Sequence, residues 1–230
     1  MKNARRVSCT LTDYNYTGFE ALTEEQKAYL SKHETIVEYK KGEALCKQGS
    51  FANHVLIMEK GLAKVIIEDE YKSLILKLVP EKNILGLTSL SSNRPVFHYS
   101  AIAYNDVTVR QIELHAFKEL IRKNPDFAFA IFDVFTANSV QIYGRFFCLT
   151  RKQSFGKLAD ILLCLSDRVF KDSVFTLELT RKDIAELADM STESVIRILK
   201  KFKDDGLIEI KGHTFKILDK EKLVELSALG

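Results

Sequence analysis

Residues 180–197 read Thr180-Arg-Lys-Asp-Ile-Ala-Glu-Leu-Ala-Asp-Met-Ser-Thr-Glu-Ser-Val-Ile-Arg197, and this stretch predicts two short helices joined by a tight turn. Thr180 is a suitable N-cap for the first helix, and Asp183 stands three residues on, where a capping box needs it. Asp189 occupies the turn, because Asp tolerates a left-handed backbone. The apolar face of the first helix is expected to consist of Ile184, Leu187 and Ala188.

The second helix has the pattern of a helix that reads DNA. Ser191 is placed to cap it, and its core face is expected to be Val195, Ile198, Leu199 and Phe202. Near the N-terminus this leaves outward-facing Thr192, Glu193, Ser194 and Arg197. In a recognition helix Arg pairs with guanine and Glu accepts from cytosine N4. The four-residue spacing of Glu193 and Arg197 also predicts that each holds the other's rotamer.

The residues that follow indicate a wing. Residues 205–210 combine a Gly stop with an alternating strand, 211–213 form a tight turn, and 214–218 form a second strand. This predicts a helix-turn-helix with a two-stranded wing. The alternative is that the two helices belong to an ordinary helical bundle and that Glu193 and Arg197 form a solvated surface pair.

Residues 179–210 resemble the winged helix of the Crp/Fnr family of bacterial regulators, through Glu193-Ser-Val-Ile-Arg197 and Gly206-Leu-Ile. The resemblance implies a transcription regulator, not an enzyme, with double-stranded DNA, a second copy of the chain and RNA polymerase as partners. The alternative function is a cyclic-nucleotide-type ligand-binding module whose helical C-terminal domain docks a protein partner. Glu193 and Arg197 would read a short C·G-containing core in each half-site. The implied DNA-contacting residues are Thr180, Arg181, Ser191, Thr192, Glu193, Ser194, Arg197, Lys200 and Lys201.

Composition is compatible with this interpretation. A chain of 230 residues with 46% apolar residues suggests one large or two modest domains with ample core. The net charge of +3 is mild, so DNA binding must rest on local placement of charge. We found no apolar run long enough to span a bilayer and no signal peptide, which favours a cytoplasmic protein without membrane contact. The scattered cysteines Cys9, Cys46, Cys148 and Cys164 show neither a metal spacing nor a disulfide framework.

The first half predicts a small antiparallel barrel. Thr23 and Gln26 form a capping box for a short helix that ends near Leu30. Short alternating runs separated by turn residues then follow at regular spacing: 35–39, 44–47, 54–58, 62–67, 73–78, 97–104 and 107–113. Residues 41–43, 48–49 and 55–61 resemble the cyclic-nucleotide-binding jelly roll. The predicted fold is α+β, with a jelly-roll β-barrel (1–123), a long dimerisation helix (124–150) and a winged helix-turn-helix (151–230).

The long helix is expected from about Pro125 to Leu149. Apolar residues at alternating steps of three and four form a heptad seam suited to a parallel homodimer: Phe132, Phe135, Ser139, Ile142, Phe146 and Leu149. Ile131, Val134 and Phe147 lie beside the seam and are expected to face the roll. The alternative is a helix buried within one chain. Residues 151–154 are expected to form the hinge between domains.

The resemblance places an effector pocket at residues 83–90 and 97–101. Cyclic-AMP binders of the family carry Glu and Arg where this chain has Leu87 and Tyr99, and hydroxyls where it has Ile142 and Tyr143. Because Tyr is only a neutral donor for a buried phosphate, we expect cyclic AMP not to bind tightly. The pocket residues implied by the resemblance are Gly86, Leu87, Thr88, His98, Tyr99, Ser100, Ala101, Ile142 and Tyr143.

The sequence also bears on two other kinds of sensor, those that hold an iron–sulfur cluster and those that hold a haem. The oxygen-sensing branch clusters cysteines near the N-terminus, whereas this chain has only Cys9 there. By residue type, the candidate axial ligands for a haem are His33, His54, His98 and His115, although a lone His in a β-roll is more often structural. We therefore expect no metal and no cofactor. An unidentified small effector remains open, as does a pocket filled by Leu87, Phe97 and Tyr99 with no effector.

Overall fold

The computed structural model describes residues 17–91, 93–177 and 179–229, so Cys9 lies outside the described residues. Contacts divide the chain into two compact units. One unit comprises the described part of Tyr14–Ser73 together with Leu78–Ser139. The other comprises Val140–Gly230 together with the short segment Leu74–Lys77.

Two four-stranded antiparallel sheets form the N-terminal roll, so the predicted α+β jelly roll is confirmed. One sheet has the order β1-β8-β3-β6, comprising β1 (Glu34–Tyr39), β8 (Val107–Glu113), β3 (His54–Lys60) and β6 (Ile84–Leu85). The other has the order β2-β7-β4-β5, comprising β2 (Ala44–Cys46), β7 (Ser100–Ala103), β4 (Ala63–Glu68) and β5 (Ser73–Val79). The prediction of one strand over 97–104 was too long, because Phe97 pairs its backbone with loop residues Gly49 and Ser50 before β7 begins.

Two helices close one side of the roll. In α1 (Glu24–Leu30) the predicted capping box is present, with Thr23 and Gln26 exchanging hydrogen bonds. The sequence analysis did not assign α2 (Leu114–Lys123), whose buried face is Leu114, Ala116, Phe117 and Leu120. These helices share a core with the first sheet, formed around Val55, Ile57, Ile112, Phe117 and Phe127.

The long helix α3 runs from Pro125 to Arg151, close to its predicted bounds. Ile131 and Val134 are buried in the core of the roll, as expected. Phe147 was expected beside them, but it is 44% exposed. The predicted seam also lies on an exposed face: Phe132, Phe135, Ile142 and Phe146 are exposed, and Ser139 and Leu149 are half-buried.

The C-terminal region is a helix-turn-helix flanked by helices and a small sheet. Its helices are α4 (Ser154–Cys164), which continues into a π-helical turn (Leu165–Phe170), α5 (Arg181–Ala188), α6 (Thr192–Asp204) and α7 (Lys220–Leu229). The predicted wing strands are β10 (Ile208–Lys211) and β11 (Thr214–Ile217). The wing is not two-stranded, because β9 (Val174–Thr176) pairs with β11 and completes a three-stranded sheet.

Candidate nucleic-acid interface

The turn between α5 and α6 is built as its sequence predicts. The hydroxyl Oγ1 of Thr180 accepts from the Asp183 backbone N–H at 3.1 Å, and the Thr180 N–H donates to Asp183 Oδ2 at 2.9 Å. Asp189 ends α5 with φ 49° and ψ 57°, the predicted left-handed conformation. These features fix where α5 stops and therefore where α6 can begin.

The α6 helix presents one buried and one exposed face. Ser191 accepts from the Ser194 N–H at 3.2 Å and caps the helix. Glu193 and Arg197 are exposed, and Thr192 and Ser194 are half-buried beside them. After α6 the chain reverses at Gly206, whose φ of 71° favours glycine. The core-facing residues are all buried as predicted, namely Val195, Ile198, Leu199 and Phe202.

Within residues 179–229, the structure shows no ion pair or hydrogen bond between Glu193 and Arg197, although the sequence predicted that they pair. The carboxyl of Glu193 instead faces its own backbone N–H and the Ser191 side chain, and these hydrogen bonds lower its pKa. A carboxylate at a helix N-terminus interacts favourably with unsatisfied N–H groups, and this explains why it turns away from Arg197. Arg197 is exposed, and Glu193 does not fix the rotamer of its side chain.

The predicted DNA-contacting residues Arg181, Lys200 and Lys201 differ in the contacts that they make within the chain. The Arg181 guanidinium lies 5.2 Å from the ring centroid of Phe215 in the wing, and burial lowers its pKa. The ammonium of Lys201 lies 2.6 Å from Asp205 Oδ1, and this hydrogen bond raises the pKa of Lys201. Lys200 is exposed on the outer face of α6.

Arg145 is a positioning residue that the sequence analysis missed. Its guanidinium, carried on α3, donates to the carbonyl of Leu187 in the last turn of α5. A cation there satisfies an orphan carbonyl and complements the negative end of the α5 dipole. Arg145 is 4% exposed, so this contact helps to anchor the first helix of the helix-turn-helix on the C-terminal half of α3.

The pocket implied by the resemblance is closed by side chains of the chain itself. The Tyr99 hydroxyl accepts from the Gly86 N–H at 2.7 Å, and burial raises the pKa of this phenol. Leu87 and Phe97 are buried beside it. Gly86 has φ 90°, and a Cβ there would lie 3.3 Å from the Phe97 ring. The Gly86 N–H is therefore already hydrogen-bonded to a side chain of the same chain.

The other predicted pocket residues differ in their exposure and their contacts. Ser100 is buried, and its hydroxyl accepts from the Gln48 N–H at 3.0 Å and donates to Glu68 Oε1 at 3.5 Å. A carboxylate so close to Ser100 disfavours an anion at this position. Ala101 is buried, whereas the remaining residues are exposed: Thr88, His98, Ile142 and Tyr143.

Comparison with known proteins agrees with this architecture. Residues 36–124 match the family model described as "Cyclic nucleotide-binding domain", and residues 156–226 match "Crp-like helix-turn-helix domain". The chain belongs to the Crp/Fnr family. Like other Crp/Fnr proteins it is a DNA-binding transcription regulator with a cyclic-nucleotide-binding domain, and its homologues and fold are not those of enzymes.

Individual relatives are distant. The cAMP-activated global transcriptional regulator CRP of Salmonella typhimurium is 26% identical over 189 residues, covering 80% of this chain and 90% of the relative. The transcriptional activator protein anr of Pseudomonas aeruginosa is 26% identical over 196 residues, covering 83% of this chain and 78% of the relative. The structure of FixK2 from Bradyrhizobium japonicum has the same fold, with a TM-score of 0.77 at 18% identity, covering 84% of this chain and 96% of that one.

Within residues 17–91, 93–177 and 179–229, no helix combines the length and the apolar content needed to cross a bilayer.

Proposed function

We propose that this Crp/Fnr regulator acts as a homodimer that reads a palindromic operator through α6. The observation that carries the proposal is the outer face of α6, where Glu193 and Arg197 are exposed directly opposite a fully buried apolar face. A recognition helix uses its N-terminal residues in this way in the major groove. RNA polymerase is the expected partner of the DNA-bound dimer.

The contacts assigned to α6 fall into two kinds. Arg197 and Glu193 are proposed to read guanine and cytosine edges, with Thr192 and Ser194 on bases or phosphates. Lys200 is proposed to contact phosphate together with Lys201 and Arg181. The last two would exchange their contacts with Asp205 and Phe215 for phosphate oxygens, so we expect Lys200 to contribute the most phosphate affinity of the three.

The exposed face of α3 supports the dimer. Single exposed apolar residues are common on a protein, but a contiguous apolar stripe marks an interaction surface. The exposed residues Phe129 and Tyr143 lie beside this seam and widen the stripe. Pairing of α3 with the same helix of a second chain would cover this stripe. We therefore propose that residues 124–150 form the dimerisation helix and that residues 151–230 form the DNA-binding domain. Two winged helices related by a two-fold axis then match half-sites one helical turn apart.

Regulation is proposed not to use cyclic AMP. The Tyr99 hydroxyl already accepts the Gly86 N–H, and Leu87 stands where cyclic-AMP binders carry an acceptor for the ribose. Glu68 contacts Ser100, which the resemblance places beside the phosphate. A nucleotide phosphate would have to displace the phenol and enter beside a carboxylate without a cation to compensate. The effector, if one exists, is therefore of another kind.

Titration of the purified protein with cyclic AMP should show no saturable binding in the low-micromolar range. The variant L87E/Y99R restores the ribose acceptor and the phosphate cation that cyclic-AMP binders carry, so it is expected to gain affinity. Isothermal calorimetry measures both, and circular dichroism checks that the variant folds. Saturation of the unmodified protein at low micromolar cyclic AMP would overturn the proposed closure of the pocket.

Arg197→Ala tests the proposed function directly. Truncation should remove discrimination at one guanine per half-site, worth about 1–3 kcal/mol or roughly 5- to 150-fold in affinity. Lys200→Ala serves as the matched control on the same helix. This variant should weaken binding to all DNA sequences alike, and it should reduce the slope of log affinity against log salt concentration by about one. Fluorescence anisotropy on an operator and on variants of its guanine positions separates the two effects. Retention of full specificity by Arg197→Ala would show that α6 does not read DNA as proposed.

A further inference from the structure

A cluster of two imidazoles and one carboxylate lies at the junction of β1, β8 and α2. Its members are His33, which precedes β1, Glu113 at the end of β8, and His115 in the first turn of α2. The cluster is separate from the pocket closed by Tyr99 and from the DNA-binding helices. We propose that His33, Glu113 and His115 bind a divalent transition-metal ion, for which Zn²⁺ is the probe.

The distances suit such an ion. One oxygen of Glu113, Oε2, lies 3.1 Å from His33 Nδ1 and 3.3 Å from His115 Nδ1. Ligand atoms about 2.0–2.2 Å from a tetrahedral zinc ion are roughly 3.3 Å from each other. All three ligand atoms lie within 4.8 Å of one another, so a small adjustment of the imidazoles would bring them around one ion. His115, whose side chain is 66% exposed, is free to make that adjustment.

The backbone holds the donors in place before any ion arrives. The Glu113 N–H donates to the His33 carbonyl at 3.0 Å, which continues the pairing of β1 with β8 and sets the two side chains opposite each other. Glu113 is also the N-cap of α2, a position whose side chain commonly accepts from the first turn of its helix. Here the side chain makes no capping hydrogen bond and turns to the two imidazoles instead.

Neighbouring groups support the ring of His33 and leave the site accessible. The Tyr29 ring lies 4.6 Å from the His33 ring, and the Tyr29 hydroxyl donates to Glu119 Oε2 at 2.7 Å. The Tyr29 ring therefore packs against the His33 ring, and Glu119 in turn holds the Tyr29 hydroxyl. On the other side, Glu113 and His115 line a cleft of about 520 Å³ that also includes His54, the register partner of Glu113. Water or His54 would complete the coordination from this cleft.

The chemistry of the donor set narrows the choice of ion. Two imidazoles with one carboxylate suit zinc and other late first-row metals, whereas Mg²⁺ and Ca²⁺ prefer oxygen ligands alone. An ion bound here would join the start of β1 to the start of α2 and should raise the thermal stability of the chain. This binding requires no DNA, so its failure would leave the proposed DNA-reading function untouched.

The test is a competition titration of the chelator-treated, dialysed full chain with ZnCl₂ and a chromophoric chelator. We expect one equivalent per chain at micromolar affinity or tighter. Glu113→Gln and His115→Ala should each weaken binding at least about tenfold. His98→Ala, which removes an exposed histidine from outside the cluster, should bind zinc like the unmodified protein. Melting curves without metal verify that each variant is folded.

Cobalt substitution identifies the ligand atoms. Co²⁺ bound by His and Glu should give visible d–d bands without thiolate charge-transfer bands. Cys46, Cys148 and Cys164 are buried, and burial raises the pKa of Cys46 to about 12, which disfavours its thiolate. Zinc affinity that is unchanged in both Glu113→Gln and His115→Ala would overturn the proposal. Binding well below one equivalent, or thiolate bands with cobalt, would do the same.

Discussion

Replacing Asp160 by alanine is expected to lower the free energy of unfolding by about 3–5 kcal/mol. Asp160 lies on α4 with a fully buried side chain, and its Oδ2 is 2.7 Å from the ammonium of Lys152, whose side chain is 7% exposed. Asp160 also accepts hydrogen bonds from the Ser227 hydroxyl on α7 and the Cys148 thiol on α3. Removal of the carboxylate leaves a buried ammonium without its counter-charge, and this is far more costly than loss of an exposed pair.

Urea unfolding followed by circular dichroism measures this loss, and Asp167→Ala is the matched control. Asp167 pairs with Lys220 at 2.6 Å, but that pair is exposed, so its loss should cost no more than about 1 kcal/mol. The double variant D160A/K152M removes both charges and should be less destabilised than D160A alone. Equal effects of Asp160→Ala and Asp167→Ala would show that the buried cluster does not stabilise the C-terminal unit.

The double variant F132D/F146D is expected to be monomeric and to lose roughly 100-fold or more in affinity for a two-half-site operator. Phe132 and Phe146 are 63% and 68% exposed and stand two heptads apart on α3. Aspartates at both positions would bring like charges together across a parallel pair of helices. They would also remove the apolar packing between the two seams. Each winged helix would then bind one half-site without the effective concentration supplied by its twin.

Sedimentation and DNA titration at micromolar protein measure the two consequences. Phe51→Asp is the control, because Phe51 is an exposed aromatic residue in the roll and lies off α3. It should leave both the assembly and the DNA affinity intact. A dimeric F132D/F146D, or an unmodified protein that sediments as a monomer at these concentrations, would contradict the proposed seam.

Local features of the DNA-binding region were predictable from the sequence. The capping box at Thr180, the left-handed Asp189 and the Gly206 stop depend on a few neighbouring residues and on steric preferences of the backbone. The buried faces of α5 and α6 follow from helical periodicity in the same way. Even α2 carried this signal, since its buried residues recur at helical spacing, although it was not assigned.

Features that depend on distant residues were not predictable. Glu193 preferred the N–H groups of its own helix end to Arg197, a choice between two local partners that spacing alone does not decide. Arg145 caps α5 from 42 residues away, and β9 joins the wing from across the helix-turn-helix. His33 and Glu113 are 80 residues apart and meet only because β1 pairs with β8. Apart from the local choice made by Glu193, each of these contacts is set by the topology of the chain, which a local sequence pattern does not encode.

Selection of genomic DNA fragments by the purified protein at physiological salt, followed by sequencing, tests the central claim most directly. We expect enrichment of a two-fold symmetric sequence with half-sites about one helical turn apart and a C·G pair in each core. Because the Tyr99 pocket is already closed, this enrichment should not change when cyclic AMP is added. Recovery of a single asymmetric half-site would contradict the reading of a palindrome by a homodimer.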